Sequence, residues 1–159
     1  MSNRKVVSPE IARSVAEACL CLHVQRAARA LARHFDDVFR PLEITSGQYS
    51  LLMSLNRPDP TGAPTMGDTA EFLAMDRTTL TAALKPLERR GLVRVTADRQ
   101  DRRIKRLSLT PAGNAVLARA HALWTEFHGA IEAGMASPSA DAMRKGLIGM
   151  VEKLERTDD

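Results

Sequence analysis

The sequence predicts a mainly α-helical protein with one small β-hairpin. Three observations carry that expectation. Ala-rich and Leu-rich stretches with apolar steps of three and four residues fill most of the 159 residues. Helix-start signals (Ser, Thr or Asp at a cap, Pro at the first helical position) recur along the chain. Only residues 92–109, "LVRVTA" and "IKRLSL" around a polar turn, alternate with period two. The 44% hydrophobic content supports a core, and 4% aromatic content leaves the packing mostly to aliphatic side chains.

Taken in order, the first helix is expected to start at Ser8, with Pro9 at the first helical position and Glu10 near the positive end of its dipole. Leu20, Val24, Ala27, Leu31, Phe35 and Val38 then form one long stripe ending near Pro41. Thr45 and Gln48 have capping-box spacing ahead of Tyr49, Leu52, Met53 and Leu55, and "NRPDPTGAP" follows as a breaker. Thr65 and Asp68 open a third, short helix. Asp76 caps a fourth, "RTTLTAALKPLERR", in which Leu80, Leu84 and Leu87 face inward, Pro86 predicts a local bend, and Gly91 stops the helix. After the hairpin, Thr110-Pro111 caps a fifth helix with Leu117, Ala120, Trp124, Phe127 and Ile131 on one stripe. Ser137-Pro138 is expected to start a sixth, with Met143, Leu147, Met150 and Leu154.

Charge is unevenly spread. Residues 77–106 hold ten Lys/Arg against three Asp/Glu, a net +7 within a chain whose total is +4. A polyanion is the partner that such a segment fits. Helix, short turn, helix and hairpin over residues 65–109 have the layout of a winged helix-turn-helix, whose second helix enters a DNA major groove. With the leucines inside, Thr78, Ala82, Lys85 and Arg89 point outward, and Arg77, Thr78 and Thr79 crowd the end that meets base edges. Threonine offers a hydroxyl and a methyl to base edges, and Arg77 and Lys85 suit a guanine or phosphates. The turn "DRQDRRIKR" becomes a wing tip, its Arg99, Arg102 and Arg103 placed to reach the adjacent narrow groove, with Asp98 and Asp101 expected to pair with these arginines. Capping is the competing role for Thr78 and Thr79, and a solvated loop for the basic turn.

The stretch "MDRTTLTAALKPLERRGLVRVTADRQDRRIKRLSLTPAG" resembles the winged-helix core of MarR-family transcriptional regulators. The likeness rests on Gly91-Leu92-Val93, on the Asp-x-x-Asp-Arg-Arg run from Asp98 to Arg103, and on Leu109-Thr110-Pro111-Ala112-Gly113. It implies a homodimer on a pseudopalindromic site in double-stranded DNA, with Arg102 and Arg103 as wing contacts or wing-fixing residues. It also implies a small, often aromatic, effector between the dimer helices and the winged module. The organisation that follows is an N-terminal helix over 1–44, a DNA-binding domain over 45–110 and C-terminal dimerisation helices over 111–159. Independently of the family, the apolar faces of the first, fifth and sixth helices call for a second copy.

No ligand signature stands out; His23, Arg26 and Tyr49 are placed to contribute to an effector site but are more readily packing or ion-pairing residues. Cys21 lies 28 residues before Tyr49, a placement resembling the reactive cysteine of the family's organic-hydroperoxide-sensing branch. The positions of that branch's activating tyrosines are Phe35 and Ser46 here, so a buried structural cysteine is the favoured reading for Cys21 and Cys19. The expected function is a repressor released by a small ligand, with a thiol switch through Cys21 or Cys19 as the alternative and a non-specific DNA binder as a third. No nucleophile–base set, metal spacing, glycine-rich phosphate loop or paired-carboxylate motif appears, so neither catalysis nor a cofactor is expected. No run of 18 apolar residues exists to span a membrane, and the opening "MSNRKVVSPE" lacks the apolar stretch of a leader, so the expected location is cytoplasmic.

Overall fold

The computed structural model describes residues 6–57 and 62–156; part of the breaker "NRPDPTGAP", residues 58–61, lies outside them. Among the described residues, seven helices and one hairpin follow in order: α1 (Pro9–Ala18), α2 (Leu20–Phe39), α3 (Ser46–Leu55), α4 (Met66–Phe72), α5 (Arg77–Arg89), β1 (Val93–Ala97), β2 (Lys105–Leu109), α6 (Pro111–Ala133) and α7 (Ala140–Glu155). A single 3-10 turn, Arg40–Leu42, joins α2 to α3.

The single first helix of the sequence reading is two. Cys19 leaves the helical region at φ −74°, ψ 105°, and its Sγ accepts the Leu22 N–H at 3.4 Å, capping α2. The pattern explains the break. At about 100° per residue, Ile11 and Val15 lie roughly opposite Leu20, Val24 and Leu31 on one continuous helix, so no single face could hold them all. Within the predicted stripe Phe35 is buried, Leu20 and Leu31 are exposed, and Phe39 is a buried residue that the stripe left out.

The central elements form where their caps say. Thr45 with Gln48 and Thr65 with Asp68 each make both bonds of a capping box, and the Asp76 carboxylate accepts the Thr79 N–H. Leu80, Leu84 and Leu87 are all buried on one side of α5. Burial of each is worth about 1.5–3 kcal/mol, which together exceeds the roughly 3 kcal/mol that an internal proline costs. Helix α5 accordingly runs through Pro86 without interruption. Gly91 then turns at φ +68°, in the left-handed region where a side chain is strained. The hairpin pairs Val93 with Leu109 and Val95 with Leu107, as the alternation requires. Gly113 is needed for a different reason: a Cβ there would stand 2.0 Å from the Leu92 carbonyl oxygen, so only glycine lets α6 pack this closely on the start of β1.

Helix α7 starts at Ala140 rather than at Ser137-Pro138. The cap is Ser139, whose hydroxyl accepts the Ala142 N–H at 3.2 Å, with Asp141 in the first turn.

One core runs through the centre, from Phe35 and Phe39 of α2 through Leu51 and Leu52 of α3 to the α5 leucines, Leu107, Leu117 and Ala120. Rings from three helices continue it: Phe39 lies 4.8 Å from Tyr49, Tyr49 6.4 Å from Trp124, and Trp124 4.3 Å from His128, centroid to centroid. Arg90 ties the end of α5 to the α2–α3 junction, its guanidinium donating to the Leu42 carbonyl at 3.0 Å and to the Glu43 carbonyl.

Candidate nucleic-acid interface

Helix α5 has two unlike faces. Opposite the buried leucines, Thr78, Ala82, Lys85 and Arg89 are all exposed, as the spacing predicted. Arg77 is exposed at the N-terminal end. Among the described residues, the side chains of Arg77, Lys85 and Arg89 make no ion pair or hydrogen bond, and neither does the Thr78 hydroxyl. Thr79 differs. Its hydroxyl donates to Asp76 Oδ2 at 2.6 Å while its N–H donates to Oδ1 at 2.8 Å. Those bonds hold the Asp76 carboxyl below its ordinary pKa, the Thr79 hydroxyl contributing most. Thr79 thus serves the cap and Thr78 carries the uncommitted hydroxyl.

The wing tip, residues 98–104, projects Arg99, Arg102 and Arg103 with exposed side chains that make no ion pair among the described residues. The expected pairing of these arginines with Asp98 and Asp101 is not what the structure contains. Asp98 pairs with Arg106 on β2, and its other oxygen accepts the backbone N–H groups of Gln100 at 2.8 Å and Asp101 at 3.1 Å. Asp101 accepts the backbone N–H of Arg103 at 2.9 Å. The reason is geometric: the register places Arg106 opposite Thr96, close to where Asp98 leaves β1, whereas the tip arginines lie beyond the turn. The Arg106 guanidinium first, and then those backbone donors, lower the Asp98 pKa to about 2. Arg106 is the residue that sequence reasoning missed. Its only signal was a cation in a β-strand whose partner could not be read without the register.

The remaining candidates are placed as follows. His23 is exposed, with Nε2 3.1 Å from the Glu17 carbonyl oxygen, and Arg26 is exposed nearby on α2. Tyr49 is buried in the core, its hydroxyl 3.3 Å from His121 Nδ1, and burial raises its pKa. His23 and Tyr49 therefore occupy separate environments. Neither cysteine is buried, contrary to the favoured reading: Cys21 is exposed, accepting from the Gln25 side-chain amide at 3.1 Å, and Cys19 is half-buried at the α1–α2 break. Both sit in the part of the first predicted helix that has no core beneath it.

Residues 44–105 match the model of the MarR family. The transcriptional regulator MosR of M. tuberculosis, solved in complex with DNA, is 32% identical, with 87% of this chain and 98% of that chain covered and a TM-score of 0.77. The transcriptional repressor CouR, bound to a 23-mer DNA duplex, is 27% identical over 89% of this chain and 95% of its own, with a TM-score of 0.70. CouR from Rhodococcus jostii RHA1 has also been solved with p-coumaroyl-CoA, a structure that shares the fold at 22% identity, covering 84% of this chain and 92% of that one with a TM-score of 0.70. The transcriptional activatory protein BadR of Rhodopseudomonas palustris is 34% identical over 73 residues, which are 46% of this chain. The chain spans about half the length of such curated relatives, 42% for BadR. Fold, hairpin wing and matched segment agree, and the chain belongs to the MarR family of transcriptional regulators.

Proposed function

We propose that the protein is a homodimeric, sequence-specific regulator of transcription that binds a pseudopalindromic operator in double-stranded DNA as a repressor, in the cytoplasm, and is released by a small effector. In this reading residues 45–110 form the DNA-binding domain, flanked by the dimerisation helices of 1–44 and 111–159. The single observation that carries it is the row of uncommitted donors on two adjacent elements. Arg77, Thr78, Lys85 and Arg89 lie along the exposed face of α5, and Arg99, Arg102 and Arg103 lie at the tip of the hairpin that follows it. A helix in the major groove reads base edges, while a basic tip finds its deepest negative potential in the neighbouring minor groove. MosR and CouR bound to DNA, and CouR bound to p-coumaroyl-CoA, support the partner class and a small-molecule effector.

Each arginine that releases a counterion contributes about 0.9 to the slope of log affinity against log salt. Replacing Arg102 and Arg103 by alanine removes four such groups from a dimer. Affinity for every duplex then falls and the slope flattens by up to about 3.6, with the dimer intact by sedimentation. Thr78→Ala instead narrows the gap between operator and unrelated DNA, and Thr79→Ala does so less because its hydroxyl serves the cap. Unchanged binding of R102A/R103A at all salt concentrations would sink the wing assignment.

The exposed Cys21 favours one second reading, a thiol switch, with Cys19 beside it. Peroxide treatment followed by intact-mass measurement and operator binding separates the two. Unmodified thiols with unchanged binding remove the switch.

A further inference from the structure

We infer that Arg106 is a positioning residue of the wing: it spends its guanidinium inside the protein, holding the tip against the loop ahead of α4, and so fixes where Arg102 and Arg103 point. This rests on the DNA-binding reading above.

Arg106 belongs to the basic segment but not to its free cations. Its side chain is 28% exposed and that of its partner Asp98 12%. Nε donates to Asp98 Oδ2, and Nη1 donates to the Ala63 carbonyl at 2.6 Å. From Asp98 the bonding continues into the tip, through the N–H groups of Gln100 and Asp101 to Oδ1, and from Asp101 to the N–H of Arg103. The strand itself is tied at the same place. The Leu107 N–H donates to the Pro64 carbonyl at 2.9 Å, and Thr65 forms a lone antiparallel bridge with Arg106. Thr65 is also the cap residue of α4. One unbroken set of bonds therefore runs from the start of the helix-turn-helix to the backbone of Arg103.

Such bracing matters because a two-stranded ribbon is marginal on its own. A tip free to swing would have to be ordered on DNA, and that ordering cost would be subtracted from what its arginines contribute. Arg106 can brace two acceptors because its donors form a fixed planar fork. Lysine keeps the charge but brings a single nitrogen on a flexible stem. R106K therefore separates the roles. A residue that only touched phosphate would keep most of its effect as lysine, whereas a brace would not.

The test measures affinity against salt on one operator duplex for the parent, R106K, R102A/R103A and the triple variant. Amide exchange at Gln100 and Asp101 in the free proteins is followed alongside. R106K is expected to weaken operator binding on the order of tenfold despite its unchanged charge, and the triple variant is expected to bind no worse than R102A/R103A. Exchange at Gln100 and Asp101 should quicken in R106K and in D98N, while the ranking of operator variants that differ under α5 stays as in the parent. Additive losses in the triple variant, or parental binding and exchange in R106K, overturn the brace. If R102A/R103A itself binds like the parent, it is the wing's DNA role that has failed, and the inference goes with it.

Discussion

Helices α5 and α7 carry comparable apolar stripes and meet opposite fates. In α5, Leu80, Leu84 and Leu87 disappear into the core. In α7, Leu147, Ile148, Val151 and Leu154 stay 40–62% exposed and no residue is buried. Helix α1 behaves like α7, with Ile11 and Val15 exposed and nothing buried. Helix α6 grades from one condition to the other: Leu117 and Ala120 are buried near the wing, and Trp124, Phe127 and Ile131 are half-buried further along. The chain thus supplies the centre with its own core and leaves its ends with apolar faces that a single copy does not cover. Exposed apolar stripes of this length are the surface on which a second copy is proposed to sit.

The largest effect should come from attacking those ends. Each apolar side chain lost from an interface forfeits about 1.5–3 kcal/mol, and L147E/V151E removes four from a dimer, so it should raise the dimer dissociation constant by roughly 10⁴-fold or more. Sedimentation velocity reads the shift, and circular dichroism should show the helices retained because the core lies elsewhere. A dimer as tight as the parent would put the second copy on another face and break the contrast between α5 and α7.

The next effect sharpens the comparison with one residue type. Gly113→Ala drives a methyl against the Leu92 backbone, which cannot yield as a flexible side chain would. Overpacking of this kind costs about 1–3 kcal/mol, and we expect the upper end. Gly146→Ala in α7 meets nothing within 4 Å and should gain about 0.8–1.0 kcal/mol from helix propensity. Urea denaturation of the two variants should therefore move in opposite directions. Equal shifts would mean that centre and end are packed alike.

What the sequence made legible follows from range. Thr45 with Gln48, Thr65 with Asp68, Asp76 with Thr79 and Thr110 with Gly113 are all contacts three residues apart, so type and spacing suffice to read them. The hairpin, Gly91 and the outward face of α5 were legible for the same reason. The helix break at Cys19 is not legible in the stripe that begins at Leu20; it shows only in the phase of Ile11 and Val15, which lie opposite that stripe. Contacts across the fold left no local trace: Arg106 reaches Ala63 over 43 positions, and Arg90 reaches Leu42 over 48. The tip was legible only as charge. Four arginines, at 99, 102, 103 and 106, follow Asp98 within eight positions, and which one pairs depends on the register, which alternation alone does not fix. Free and committed cations therefore looked alike.

The smallest expected effect tests that distinction through pH. Asp98 has a folded pKa of about 2, set first by Arg106 and then by the N–H groups of Asp101 and Gln100, below the unfolded value of about 3.9. A carboxyl whose pKa falls on folding adds stability that is complete above the unfolded value. That stability is lost as the pH drops through the folded value. Subtracting a D98N variant isolates the contribution of this one carboxyl. The melting difference between parent and D98N should be constant above about pH 5 and shrink toward zero between about pH 4 and 2. A D98N difference that kept its full size at pH 2 would show that the carboxylate charge is not what holds Arg106 at Asp98.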